Sequence, residues 1–254
     1  MTQMERYTGK ENQIITSNEK IILFHGSKSG IEGTIAPKSR DKCDFGKGFY
    51  MGTEQTQPLT LICNYPDAKI YTLSVDLSGL KIMDIEVGLD WALLVAYNRG
   101  KMDSAKGTSI YNRYAELDKS CDMVVGYIAN DRMFVVLDRF FNGEITDLAL
   151  INSLSALKLG KQYVAKTENT DLALINSLSA LKLGKQYVAK TEKACKNIKI
   201  IEEQEINEEQ REKLKYESEI NRSRGIELAE SICRKYRREG RFFDEILEAG
   251  GQYA

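Results

Sequence analysis

The pattern of apolar and polar residues along the chain predicts short strands mixed with helices. Four segments show the apolar runs or the alternation that are typical of strands: 20–25, 69–76, 80–85 and 122–128. Three segments place apolar residues at helical spacing: 91–99, 104–117 and 132–141. Because these elements do not follow a regular strand–helix–strand order, we expect an α+β fold.

An exact internal duplication interrupts this pattern. Residues 146–168 recur without a change at 170–192. Each copy predicts a helix, a glycine stop and a short strand; in the first copy these are 147–157, Gly160 and 162–167. Solenoids need at least three stacked units, so two identical copies indicate a recent or engineered duplication instead.

The chain is expected to have three parts. A polar segment covers 1–17, the main domain covers 18–203, and a charged helical appendage covers 204–254. Apolar residues of the appendage lie at helical spacing, which predicts packing on the main domain or binding to a partner. The first residues lack the apolar core of a signal peptide, and no segment is long enough to span a bilayer. We therefore expect a cytoplasmic protein with no membrane contact.

The composition of the chain limits the partners and the kinds of site that we expect. The 254 residues are 42% hydrophobic, which is enough for a sizeable core, and the formal net charge is −1. No global positive field therefore draws the protein to nucleic acid or membranes. The five cysteines are an odd number without a C-x-x-C spacing, so we expect neither a disulfide framework nor a metal site.

Two short motifs carry the candidate chemistry. The sole histidine, His25, ends an apolar strand in the tripeptide HGS, and DFGKGFY follows at 44–50. Together they resemble the nicotinamide-binding signature of the poly(ADP-ribose) polymerase-like, or H-Y-E, branch of the ADP-ribosyltransferase superfamily. That signature reads HGS and then FGKG-aliphatic-Y.

The wider chain is also similar to a sparsely characterised bacterial family of unknown-function proteins placed in the same superfamily. The features they share are HGS, DFGKGFY, a D-x-V-x-G-x-x-A-x-D segment from Asp122 to Asp131, and QYV-x-KT. The resemblance covers roughly residues 20–203, with the motifs in the same order.

The resemblance implies an ADP-ribosyltransferase-like split antiparallel sheet with peripheral helices around a cleft that binds NAD as substrate. It implies that His25 hydrogen-bonds a ribose hydroxyl, that the Gly26 backbone holds the nicotinamide amide, and that Tyr50 stacks on the nicotinamide ring. A mostly neutral histidine can both donate and accept at neutral pH. Ser27 suits either a turn or a ligand contact.

Other residues near the motifs are candidates for supporting roles. Gly46 and Gly48 are expected to keep the Tyr50 strand clear of the ligand. Three basic residues are candidates for the pyrophosphate or for ordinary surface charges: Lys38, Arg40 and Lys47.

The third position of the family triad departs from the pattern. The family usually has a glutamate that opens a strand, whereas this chain has Gln162 or Gln186, one in each copy. A charge-assisted bond is worth roughly 1.5–3 kcal/mol and a neutral one roughly 0.5–1.5 kcal/mol. Copy two runs directly into the final strand, so Gln186 is favoured, with copy one inserted ahead of the helix. The converse register stays open.

The implied function is mono-ADP-ribosyl transfer from NAD to an unidentified protein or nucleic-acid acceptor, with release of nicotinamide. Bacterial members of such branches often act as toxins. Two alternatives remain: an NAD glycohydrolase, with water as acceptor, and a catalytically weak NAD- or ADP-ribose-binding module. The glutamine in place of glutamate is what keeps the last alternative open.

Overall fold

The computed structural model describes residues 14–128, 131–158, 184–236 and 239–249. Within them, eight strands form one sheet. The strands are β1 (Ile14–Ile15), β2 (Lys20–Ser27), β3 (Phe49–Gly52), β4 (Lys69–Asp76), β5 (Ile82–Ile85), β6 (Met123–Tyr127), β7 (Lys185–Ala189) and β8 (Ile198–Glu205).

The described helices flank this sheet. They are α1 (Thr56–Ile62), α2 (Leu89–Asn98), α3 (Ser109–Glu116), α4 (Asp131–Phe141), α5 (Asp147–Lys158), α6 (Glu192–Lys196), α7 (Glu208–Lys235) and α8 (Phe243–Glu248). None of the helices in these ranges is long and apolar enough to cross a membrane.

The strand order is β1-β5-β6-β7-β3-β2-β4-β8. Six of the neighbouring pairs are antiparallel, but β5 and β6 run parallel. The expected α+β class is therefore confirmed, and the sheet departs from the expected antiparallel arrangement at this one pair. The long connection through α2 and α3 between β5 and β6 has the length that a parallel crossover requires.

Two apolar clusters lie on opposite faces of the sheet because side chains alternate along each strand. The larger cluster packs α2 to α5 and α8 against Val124 of β6 and Val188 of β7. The second cluster joins Leu23, Phe49 and Met51 to β4 and α6. Burying both faces fixes the register of the central strands, since a one-residue slip would turn every side chain to the other face.

The two copies of the duplication contribute different elements to the described fold. The helix of copy one forms α5, whose Ala149, Leu150 and Leu154 are fully buried in the larger cluster. The strand of copy two forms β7, at the centre of the sheet. The expectation that copy one sits as an insertion ahead of the helix is therefore wrong for its helix. Its predicted stop and strand, 160–167, lie outside the described residues.

Several other segments differ from the pattern-based expectations. The helix predicted over 104–117 begins only at Ser109, because the Thr108 hydroxyl accepts from the Tyr111 amide and caps a new helix there. The polar N-terminal segment contributes β1, which pairs with β5. The C-terminal appendage begins after β8, and its helix α7 packs on α4 and α5, so its described part contacts the main domain.

Candidate functional site

The two motifs lie where the sheet is weakly joined. Strand β2 registers with β4 through eight residue pairs, and β3 registers with β7 through four. Between β2 and β3 only Phe24 and Gly52 are in register. Residues 25–27 on β2 and 49–51 on β3 lie on the side of this pair where the two strands separate, so both motifs border the same opening.

A side-chain hydrogen bond crosses this opening. His25 Nδ1 donates to the main-chain carbonyl of Tyr50 at 2.7 Å, and the imidazole stacks on Phe49 with ring centroids 4.2 Å apart. A carbonyl only accepts, so the proton of the neutral ring is on Nδ1 and Nε2 is left as an acceptor. Burial lowers the pKa of His25, and the bond to Tyr50 partly opposes this effect. The ring is thus a neutral acceptor at neutral pH.

Tyr50 is fixed by the turn that precedes its strand. Its hydroxyl donates to the Gly46 carbonyl at 2.7 Å and accepts from the Phe45 amide at 3.0 Å. Burial is the main cause that raises the pKa of this hydroxyl. The phenol is therefore neutral and its ring orientation is fixed before any ligand arrives.

Gln186, the candidate for the third position of the predicted triad, lies on β7 between its neighbours β3 and β6. It registers with Gly52 on β3 and with Gly126 on β6, so no side chain lies on either side of it across the three strands. The residue is only 5% exposed. Its Nε2 donates to Asp44 Oδ2 at 3.4 Å and to the Tyr127 carbonyl at 3.3 Å. Gln162 lies outside the described residues.

Asp44 and Arg99 complete the site, and sequence reasoning missed both roles. Asp44 is 8% exposed, and its Oδ1 accepts from Arg99 Nε at 2.9 Å and from Arg99 Nη2. Arg99 ends α2, fifty-five residues away in the chain. The only signal in the sequence was an acidic residue directly before FGKG, whose partner no local pattern could identify.

The three predicted site residues, His25, Tyr50 and Gln186, lie in one region of the sheet but not on the same face. Tyr50 packs against the larger cluster, on the side of Gln186 and Val188. The His25 ring stacks on Phe49, which belongs to the second cluster on the opposite face. A ligand that contacts all three side chains must therefore lie across the opening between β2 and β3.

The glycines of the motifs have packing roles. A Cβ at Gly26 would lie 2.9 Å from Ile62 Cδ1 of α1, and one at Gly48 would collide with Val188. At Gly46, φ is 69° and a Cβ would lie 2.7 Å from Asn98 Oδ1. The expectation that Gly46 and Gly48 clear space for a ligand is wrong, because protein atoms fill that space.

The remaining candidates lie around the β2–β3 loop. Ser27 donates its hydroxyl proton to the Gly30 carbonyl at 2.6 Å and so closes a turn. Lys38 and Arg40 are exposed on this loop, while Lys47 pairs with Asp41 at 3.1 Å. Lys38 and Arg40 therefore lie at the protein surface, on the loop that connects the two strands of the opening.

The described chain is a mixed α/β protein whose candidate site borders the separation of two central strands. Comparison with known families assigns it further: residues 21–174 match the family described as "Protein of unknown function (DUF3990)". The chain therefore belongs to this family. No curated protein and no solved structure matched it.

Proposed function

We propose that this protein is a mono-ADP-ribosyltransferase with an ADP-ribosyltransferase-like fold, which transfers ADP-ribose from NAD to a protein or nucleic-acid acceptor. The observation that carries the proposal is the bond between His25 Nδ1 and the Tyr50 carbonyl, which joins the two motifs across the opening. Gln186, the residue in the position of the family glutamate, lies two positions from Tyr50's register partner on β7.

NAD is proposed to lie across the opening. His25 Nε2 accepts from a ribose hydroxyl, because Nδ1 is already committed to Tyr50. The Gly26 backbone holds the nicotinamide amide, and the fixed Tyr50 ring stacks on the nicotinamide. The exposed Arg40, with Lys38, provides positive charge for the pyrophosphate.

The transfer breaks the bond between ribose C1′ and the nicotinamide nitrogen. The electron pair of that bond stays with nicotinamide, which loses its positive charge, and a lone pair of the acceptor forms the new bond to C1′. The acceptor's proton passes to solvent. Because the transition state resembles an oxocarbenium ion, the protein acts mainly by holding the ribose in a reactive orientation.

Gln186 favours single transfer over chain elongation. In the resembled branch, elongation accompanies a glutamate at this position, and a neutral amide offers a weaker acceptor to the ribose hydroxyl. A single ADP-ribose on each acceptor site is therefore the expected product.

The proposal is tested by incubating the full chain with NAD labelled on the adenylate, with and without cell lysate, while nicotinamide release is measured. We expect label on a macromolecule and stoichiometric nicotinamide. Nicotinamide without transferred label would identify a glycohydrolase, and stabilisation by NAD without either product would identify a binding module.

Two variants locate the activity. Tyr50→Ala removes the stacking ring and should abolish NAD stabilisation and turnover. Tyr216→Ala is the matched control, since Tyr216 is 67% exposed on α7. Equal activity in both variants would contradict the proposed site.

A further inference from the structure

The side-chain amide of Gln186 is held in one orientation. Both of its partners, the Asp44 carboxylate and the Tyr127 carbonyl, only accept hydrogen bonds, so Nε2 and not Oε1 must face them. Oε1 is consequently directed away from these two acceptors. Within the described part of the chain, the side-chain hydrogen bonds of Gln186 are these two, both made by Nε2.

The Asp44 carboxylate has two differently occupied oxygens. Oδ1 accepts from the guanidinium of Arg99, while Oδ2 accepts from the Gln186 amide. An amide that donates to a carboxylate gains electron density on its own oxygen, since hydrogen bonds in a chain polarise one another. Asp44 therefore strengthens Oε1 as an acceptor as well as orienting it.

We propose that Asp44 is a positioning residue, and that Asp44 and Gln186 act as one unit whose amide oxygen holds a ribose hydroxyl of NAD. This inference rests on the proposed function and deepens it. In the resembled family, the negative charge lies on the glutamate that contacts the ribose. In this chain it lies on Asp44, on the turn before β3, and Gln186 stands between that charge and the ribose. Glutamine suits this position, because its amide donates to the Asp44 carboxylate and an ionised glutamate could not.

A glutamate at 186 would meet the wrong electrostatic surroundings. The charged group that contacts Gln186 is Asp44, which pairs with Arg99 from α2. The Tyr50 hydroxyl and the Cys43 thiol lie close to this ion pair, and Lys190 binds the nearby Phe45 carbonyl. From strand β6, the Tyr127 carbonyl accepts from the Gln186 amide. Arg99 is already paired with Asp44, so two carboxylates would share one cation and the new one would retain a proton.

The test compares Asp44→Asn, Gln186→Glu and the double variant that exchanges the two functional groups. A glutamate whose folded-state pKa is raised stabilises the protein while protonated and loses that contribution as the pH rises. As the pH is raised from 5 to 8, the urea midpoint of Gln186→Glu should therefore decrease relative to that of wild type. The urea midpoint of the double variant should not show this decrease. Gln204→Glu is the matched control, because Gln204 Nε2 also donates to a carboxylate, Glu202, at 2.7 Å, but at the exposed edge strand.

Turnover separates a positioning role from a structural one. Asp44→Asn should lower kcat for nicotinamide release on the order of 10-fold or more with little change in KM, because the misplaced acceptor matters most in the transition state. The double variant should recover kcat above both single variants.

Two results would overturn the inference. If the effects of the single variants on the urea midpoint simply add in the double variant, the two groups are not a unit. If kcat of Asp44→Asn equals that of wild type, Asp44 does not position the ribose. A wild-type protein that releases no nicotinamide would instead refute the proposed function and the ribose role together, while the urea measurements would still establish whether the pair exists.

Discussion

His25 Nδ1 and the main-chain oxygen of Tyr50 lie 2.7 Å apart and form the hydrogen bond that crosses the opening between β2 and β3. Beyond Phe24 and Gly52 no backbone ladder joins these strands, so a side chain takes over the link. The same bond fixes the tautomer of the ring. One contact thus serves both the stability of the opening and the acceptor chemistry proposed for Nε2.

The first prediction concerns the titration of His25. Because burial lowers its pKa, we expect a midpoint below the ordinary value of 6.5 and, in the neutral form, a proton on Nδ1. As the chain has a single histidine, one imidazole signal in an NMR titration reports both properties without assignment. A midpoint above 6.5, or a proton on Nε2, would contradict the arrangement.

The lowered pKa of His25 also determines how the unfolding free energy depends on pH. A histidine with a lowered folded-state pKa leaves the unfolded chain with more bound protons as the pH falls. Its contribution is therefore present in full above about pH 6.5, the usual unfolded value, and is lost as the pH drops through the folded pKa. His25→Gln should flatten this part of the unfolding free energy profile relative to wild type, whereas an unchanged profile would exclude the effect.

The second prediction concerns the turn that holds Tyr50. Gly46 has a φ of 69°, and Asn98, which a Cβ would approach, is itself held by hydrogen bonds to Asp44 and Leu94 carbonyls. Gly46→Ala should therefore lower the unfolding free energy by at least about 2 kcal/mol, from backbone strain and overpacking together.

Gly79→Ala is the matched control for this change. Gly79 has a φ of 71°, but a Cβ there would have no atom within 4 Å. It should cost only the backbone strain, about 1 kcal/mol, in the same urea titration. Equal losses in the two variants would show that the contact with Asn98 does not matter.

The sequence pattern predicted those elements whose position depends on neighbouring residues in the chain. The alternation of KIYTLSVD predicted β4 with its observed bounds, and Tyr71, Leu73 and Val75 are buried on one face while Thr72, Ser74 and Asp76 are less buried. The Asp44, Arg99 and Gln186 cluster joins three distant segments, so no periodicity could indicate it. The choice between identical repeats was equally out of reach, since both copies have the same propensities and only the contacts of α5 and β7 distinguish them.

The third prediction concerns the attachment of the C-terminal helix. Arg211 of α7 is 6% exposed and donates to the carbonyls of Cys63 at 3.1 Å, Pro66 at 2.7 Å and Ile206 at 3.1 Å, and also to that of Tyr65. Arg211→Met leaves these buried acceptors without donors and should cost about 2–4 kcal/mol of unfolding free energy. Chemical denaturation measures the loss.

Arg234→Met provides the comparison. The Arg234 side chain is 79% exposed and its only described ion pair, with Glu230, is 3.7 Å long. This substitution should change the unfolding free energy by less than about 0.5 kcal/mol. A loss of similar size in both variants would refute a specific role for Arg211 as the link between α7 and the end of α1.

The fourth prediction distinguishes the two glutamines. Gln186→Ala removes the amide that binds Asp44 and Tyr127, so both the urea midpoint and NAD turnover should fall. Gln162 has the same flanking sequence, KQYVAKT, in the other copy. Its replacement by alanine should leave turnover within about two-fold of wild type, under about 0.5 kcal/mol. The reverse outcome would assign the third site position to Gln162.

The last prediction removes one repeat. Deletion of residues 159–182 joins Lys158 directly to Leu183 and restores a single-copy ALKLGKQYVAKT sequence. The fold uses the helix of copy one and the strand of copy two, so the shortened chain keeps both α5 and β7. The Leu-Gly connection that remains is the one that each unit carries between its helix and its strand, so the unfolding free energy should stay within about 1–2 kcal/mol of wild type. Circular dichroism, urea unfolding and nicotinamide release should all match the full chain. An unfolded or inactive product would mean that the second unit has become necessary to the packing of this sheet.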